Sequence, residues 1–350
     1  MSAFVPAPAV ELIPETDKQP GVCYAMSDDG LELPVIDITH PAFAFELSEA
    51  DLSALIDRFV LSLEATAKLP PGALAAMAQK SRLLAGLVAA DGGCTSGMVT
   101  YLNKIGPDNL GGWATPAERQ WAASLTPLTF RWRMRDVARL LADSVAPALT
   151  AQPNAPLHLI NIAGGAAADS WNALILLHKE HPELLAGRAV KIFVLDADAT
   201  GPHFGVRALA ALTAPDAPLA DVDATLEHIP YDWADPQPLA ALIDRSRAQH
   251  AVVAVSSEGG LFEYATDAQI AANLRVLHDC APDDCAVVGP VVRDATTLDD
   301  RLKSSEQTPG RPGIRYLGLV KFAELAAQGG WRIECRADGP MHQVVRLRKA

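Results

Sequence analysis

LHLINIAGGAAADSWN, residues 157–172, decides how this chain folds. Its first seven residues form a short, nearly continuously apolar run, the pattern of a strand covered on both faces of a parallel sheet. The run breaks at Gly164 and Gly165 and passes into a helical stretch. A glycine pair at a strand end lets a ligand approach the backbone, and the helix N-terminus beyond it favours a carboxylate or phosphate.

Outward from this unit, four more runs of the same kind follow: VKIFVLD (190–196), ATLEHI (224–229), HAVVAVSS (250–257) and CAVVGPVV (285–292). Helical patterns with readable ends separate them. Pro202 fits the first turn after Thr200 or Gly201, and Asp267 fits the cap of a helix carrying Ile270, Leu274 and Leu277. The connections are therefore crossovers between parallel strands. The loop SSEQTPGRPG (304–313) leads to a helix around residues 316–328, then to WRIECR and HQVVRLR. Only ADGPM separates these two, and a turn that short joins antiparallel neighbours. The expected fold is α/β: a Rossmann-like, mostly parallel seven-stranded sheet closed by a C-terminal antiparallel hairpin.

Upstream, TAQPNAP (150–156) reads as a linker, which divides the chain into residues 1–150 and 151–350. The first part is mainly helical: Leu52, Leu55, Ile56 and Phe59, then Val137, Leu140, Leu141 and Val145, recur at three and four residues. It contains no convincing strand run. The glycine-rich segment ADGGCTSGMVTYLNKIGPDNLGGW (90–113) reads as a long loop, and such loops often serve as lids. Tyr101 and Asn103 are its candidate substrate contacts. Whether this helical part also carries a homodimer contact is open.

The composition narrows the function. With 29 Lys and Arg against 42 Asp and Glu, the net charge of −13 opposes nucleic acid and anionic lipid surfaces. Five scattered cysteines without a CxxC pair indicate neither a disulfide framework nor a zinc site, and the nine histidines are not spaced as metal ligands. His178 with His181 reads as a helix end, so no metal is expected. The first residues lack a secretory pattern, and the longest apolar stretch, 157–177, is interrupted by polar residues. A cytoplasmic protein is the expectation.

Ligands of open α/β sheets bind outside the carboxyl ends of the strands. Four loops qualify. The first holds Asn161, Gly164 and Gly165. The second holds Asp196 and Asp198, placed to accept ribose hydroxyls or, alternatively, to cap the next helix. The third holds Asp232 beside Trp233, a polar group next to a flat ring that could hold a purine, or a plain surface turn. The fourth, VSSEGGLFEY, holds Ser256, Ser257, Glu258, Glu263 and Tyr264.

This succession of loops, ended by a hairpin, resembles the class I S-adenosylmethionine-dependent methyltransferases over residues 157–350. The resemblance implies S-adenosyl-L-methionine as cofactor, bound by Asn161, Gly164, Gly165, Asp196, Asp198, Asp232, Trp233, Ser256 and Ser257. It implies Glu258 as the first candidate for a catalytic base, with Glu263 and Tyr264 as further catalytic contacts, and a helical cap over a small-molecule acceptor. The chain departs from the family pattern at Asn161, where an acid is usual, and at Ala163 and Ala167, where glycines are usual. Two other readings stay open: a binding protein that keeps the fold without catalysis, and a nicotinamide-dependent oxidoreductase, against which AGGAAA lacks the glycine spacing of GxGxxG.

Overall fold

The computed structural model describes residues 10–90, 93–307 and 313–350. The first nine residues, Asp91 and Gly92 of the glycine-rich segment, and residues 308–312 of the SSEQTPGRPG loop lie outside it. In chain order the elements are β1 (Tyr24–Met26), β2 (Glu32–Pro34), α1 (Glu49–Ala67), α2 (Ala73–Ala78), α3 (Arg82–Ala89), α4 (Gly97–Lys104), α5 (Pro116–Ala122) and α6 (Leu125–Ala151). Then follow β3 (Leu157–Ile162), α7 (Ala168–Glu180), β4 (Val190–Asp196), α8 (Thr200–Leu212), β5 (Ala224–Pro230), α9 (Gln237–Ala248) and β6 (Val252–Ser256). The chain closes with α10 (Leu261–Tyr264), α11 (Asp267–Cys280), β7 (Ala286–Val292), α12 (Gly318–Gln328), β8 (Trp331–Asp338) and β9 (His342–Lys349).

Seven strands form one sheet in the order β5-β4-β3-β6-β7-β9-β8. The first five in sequence pair parallel, while β9 pairs antiparallel with both β7 and β8. This is the sheet expected from residues 157–350. Since β3 bonds to both β4 and β6, the strand order reverses at β3, and the loops leaving β3 and β6 diverge there to open a crevice.

The period-two alternation of β3 divides the core. Leu157 and Leu159 join Trp171, Leu174 and Phe204 on one face, together with Val137 and Leu141 of α6 and with Leu31, Ile36 and Tyr101 from the helical part. Ile160 and Ile162 join Leu239, Ile243, Leu274 and Phe322 on the other. The residues on either side of position 150 thus share one core. Trp171, fully buried, donates its indole N–H to the Ile36 carbonyl at 2.8 Å, and burying a ring of that size contributes roughly 1.5–3 kcal/mol.

Four local expectations are corrected. Residues 24–34 form a small antiparallel hairpin, too short to show a strand period in the sequence. β5 alternates in exposure instead of being covered on both faces, because it is the sheet edge and pairs only with β4. α11 is capped by Thr266, whose hydroxyl accepts from the Gln269 N–H while the Gln269 side chain accepts from the Thr266 N–H; Asp267 is the first helical residue. The glycine-rich segment is not a structureless loop: Ser96 accepts from the Val99 N–H at 3.3 Å and starts α4 there.

Candidate functional site

A cleft of about 470 Å³ lies at the carboxyl ends of β3, β4, β5 and β6, within the size range of small-molecule sites. Each expected loop reaches it: Ala163 after β3, Asp196 and Asp198 after β4, Tyr231 to Trp233 after β5, and Glu258 to Gly260 with Tyr264 after β6. Cys94 to Gly97 and Thr100 close it from the helical part.

Asp196 is fixed by the chain itself. Its Oδ2 accepts from the Gly165 N–H and its Oδ1 from the Asp198 N–H, both at 3.0 Å. Burial raises its pKa, and those two amides pull the other way. Each carboxylate oxygen keeps a further lone pair for a hydroxyl. Asp198 also borders the cleft, but its carboxylate accepts from the Thr200 N–H at 3.0 Å and from the Thr200 hydroxyl, so it is tied to the first residue of α8, whose N-cap is Ala199. Asp232 accepts from the Ala234 N–H at 2.9 Å in a tight turn. Trp233 is half-buried and held by its carbonyl, which accepts from Asn273 at 2.8 Å; the Tyr231 hydroxyl donates to that same Asn273.

The loop after β3 keeps a glycine-like course without all its glycines. Ala163, Gly165 and Ala167 all adopt φ near +60°, a region that costs an alanine roughly 1–2 kcal/mol. The two alanines that depart from the family pattern therefore hold the conformation a glycine would take. Gly97, at the start of α4, packs directly on Gly165, and a methyl group on either would overlap the other's backbone. Asn161 is buried and donates to Asp169 at 2.8 Å and to Ser170 and Ser256 at 3.3 Å. Asn161 Oδ1 and Asp169 Oδ2 are buried acceptors with no donor. Burial, with the Glu258 charge second, pushes the Asp169 carboxyl up to about 6. Ser257 accepts from the Leu261 N–H at 3.0 Å, at the first residue of α10.

The acids after β6 are arranged as no sequence pattern indicates. Glu258 accepts from Arg133 Nε at 2.7 Å and from Lys104 Nζ. Arg133 also donates to Glu263 at 2.7 Å, and His342 Nε2 stands 3.2 Å from Glu263. The side chains of Lys104, Arg133, Glu258 and Glu263 are each no more than 3% exposed. Burial would raise Glu263, but Arg133 and then His342 outweigh it and bring the carboxyl down to about 2. The Tyr264 hydroxyl, pushed up to about 12 by burial and by Glu263, meets Thr95 Oγ1 at 3.2 Å.

The segment holding Tyr101 and Asn103 does border the cleft, but these two side chains turn away from it. The Tyr101 hydroxyl donates to the Pro34 carbonyl and accepts from the Ile36 N–H. Asn103 bonds Leu83, Val99 and Trp121 inside the helical part. Cys94, Thr95, Ser96 and Thr100, on the same segment, line the cleft. The helical period of 97–104 carries that signal: position 101 follows the apolar stripe and position 100 does not.

Among the described residues, no helix is long and apolar enough to cross a membrane. No family model matches the chain, and no curated protein does. Among solved structures, a possible exported protein from Bordetella parapertussis is 17% identical, with 87% of this chain and 97% of that one covered and a TM-score of 0.49. The mitomycin 7-O-methyltransferase MmcR is 15% identical over 85% of this chain and 75% of that one, with a TM-score of 0.42. LepI, in complex with SAH and a substrate analogue, is 15% identical over 60% of this chain, with a TM-score of 0.39. The chain spans 46% of the length of LepI.

Proposed function

We propose that this chain, which has the class I methyltransferase fold, binds S-adenosyl-L-methionine and methylates a small molecule. The observation that carries the reading is the convergence of Asp196, Asp232 with Trp233, and the side-chain-free backbone at Gly259 and Gly260 on one cleft at the switch point of the sheet. The residues present suit the cofactor. Asp196 would take the ribose hydroxyls, and Trp233 with Asp232 the adenine. Asn161 stands where the family pattern has an acid; its Oδ1 is a buried acceptor without a donor, set against Gly164, and Asn161 does not itself line the cleft.

When bound, the cofactor supplies a methyl group on a sulfonium, which passes to an acceptor lone pair as the carbon–sulfur bond breaks. The chain's part is then alignment and exclusion of water. Glu258 stands on the cleft wall with both oxygens held by Lys104 and Arg133, so its carboxylate is fixed in place. Its side chain is 0% exposed, so we assign it to holding Lys104 and Arg133 beneath the cleft and not to a proton on the acceptor, which departs from the catalytic base expected from the sequence. Tyr264 keeps its proton at neutral pH and serves as a donor, and Glu263 holds Arg133.

A second reading, a ligand-binding protein without turnover, is favoured by one observation: α4 rests on the glycine loop through the Gly97–Gly165 contact. Calorimetry with S-adenosylhomocysteine and NAD tests the first reading. S-adenosylhomocysteine should bind and NAD should not. Asp196→Ala should weaken S-adenosylhomocysteine by about 1.5–3 kcal/mol, about ten- to a hundredfold, the value of a hydrogen bond to a charged group. Equal affinity in that variant would remove the ribose assignment. Binding without methylation of any acceptor would favour the second reading.

A further inference from the structure

A second cavity, of about 210 Å³, lies away from the strand ends, between residues 36–46, the end of α4 and the first half of α6. Ile36, Phe43, Phe45 and Met134 give it an apolar floor, and three cations, Lys104, Arg131 and Arg135, border it. On a chain with a net charge of −13, three converging cations are unusual. Two of them are already matched: Lys104 by Glu258, and Arg135, loosely, by Asp136 at 3.4 Å. Arg131 is not. Its Nε is buried with no partner, and the charge that bears on it is that of Asp108, an exposed residue to which it makes no hydrogen bond. The guanidinium lies 5.5 Å from the Phe45 ring centroid, and that of Arg135 lies 4.6 Å from the same ring. Glu46, also exposed, is the acid on the rim.

A half-buried guanidinium with unused donors, set beside an apolar floor, is a receptor for a planar anion with an apolar body: the fork matches a carboxylate and the rings match its hydrocarbon. We propose that this cavity binds a small aromatic or branched monocarboxylate, with Arg131 as its anchor and Arg135 as a second donor. One unmatched cation suits a single negative charge. The site does not rest on the methyltransferase reading. It does share a wall with the cleft, since Lys104 borders this cavity and its partner Glu258 borders the other.

The test is calorimetry on the full chain with benzoate, its neutral analogue benzamide, and inorganic phosphate. Benzoate should bind at least tenfold more tightly than benzamide, and phosphate should give no heat. Arg131→Gln should erase the preference for benzoate, and Arg131→Lys should retain part of it. Arg135→Gln should weaken benzoate by a smaller factor. Circular dichroism and the urea midpoint of each variant, matched to the parent, show that the fold is kept. Benzamide binding as well as benzoate, phosphate binding while benzoate is silent, or undiminished benzoate affinity in Arg131→Gln would each overturn the proposal. Failure of S-adenosylhomocysteine to bind the parent would strike the methyltransferase reading and leave this one standing.

Discussion

Replacing Lys104 by Met keeps an unbranched side chain one atom shorter and removes its charge, which leaves Glu258 Oε2 buried without its partner. The four ion-pair residues Lys104, Arg133, Glu258 and Glu263 carry two positive and two negative charges, so the variant leaves one unbalanced negative charge inside. Breaking a buried pair from one side costs about 3–5 kcal/mol. With a urea dependence of about 3 kcal/mol per molar, the midpoint should fall by about 1 M or more. Glu258→Gln should fall by a similar amount, because it strands Lys104. The double variant Lys104→Met/Glu258→Gln leaves Arg133 and Glu263 matched. It should lose less than the two single changes summed, with a coupling of about 2–3 kcal/mol. The assay is urea unfolding of the four proteins followed by circular dichroism at pH 7. A midpoint shift under about 0.3 M in either single variant, or strict additivity in the double one, would refute the view that this cluster locks α4 and α6 to the loop after β6.

Three further outcomes follow from the same geometry. Asp169, at about 6, lies above the ordinary aspartate value in the folded state, so its ionisation opposes folding near neutral pH and has no effect below about pH 4. Asp169→Asn should therefore raise stability by about 1–3 kcal/mol at pH 7, and the gain should vanish as the pH falls to 4; a gain that does not change with pH in thermal melts would count against the assignment. Gly97→Ala should cost about 1–3 kcal/mol in urea unfolding, since the methyl meets the Gly165 backbone, which cannot rotate away. Asp198→Ala should lose about 0.5–1.5 kcal/mol of stability through its bonds to Thr200, and should weaken S-adenosylhomocysteine at least fivefold less than Asp196→Ala does; equal losses would return Asp198 to the ribose.

The parallel sheet was legible because its strands, save β5, are covered on both faces, and short apolar runs that recur between helical patterns are the mark of that covering. The strand-end loops were legible for the same reason: position along a crossover determines which edge of the sheet a residue occupies. What the sequence could not show are pairings without local spacing. Glu258 meets Lys104 and Arg133 across separations of 154 and 125 residues, and nothing in SSEGGLFEY distinguishes a free acid from one held by two cations. The RWRMR run at 131–135 alternates by residue type but not by fate. Arg133 is buried among acids, whereas Arg131 and Arg135 border the second cavity, because alternate residues of a helix point to different sides. The pattern Thr266-x-x-Gln269 did carry the cap of α11, and Asp267, as an acid at a helix start, masked it.

The adenosyl cofactor is proposed to occupy the cleft at the ends of β3, β4, β5 and β6. The most direct measurement is a crystal structure grown with saturating S-adenosylhomocysteine. The expected result places the ribose hydroxyls within hydrogen-bond distance of Asp196, the adenine beside Trp233, and the sulfur facing the Glu258–Gly260 loop. Density for the ligand elsewhere, or a cleft still filled by water at saturating ligand, would contradict it.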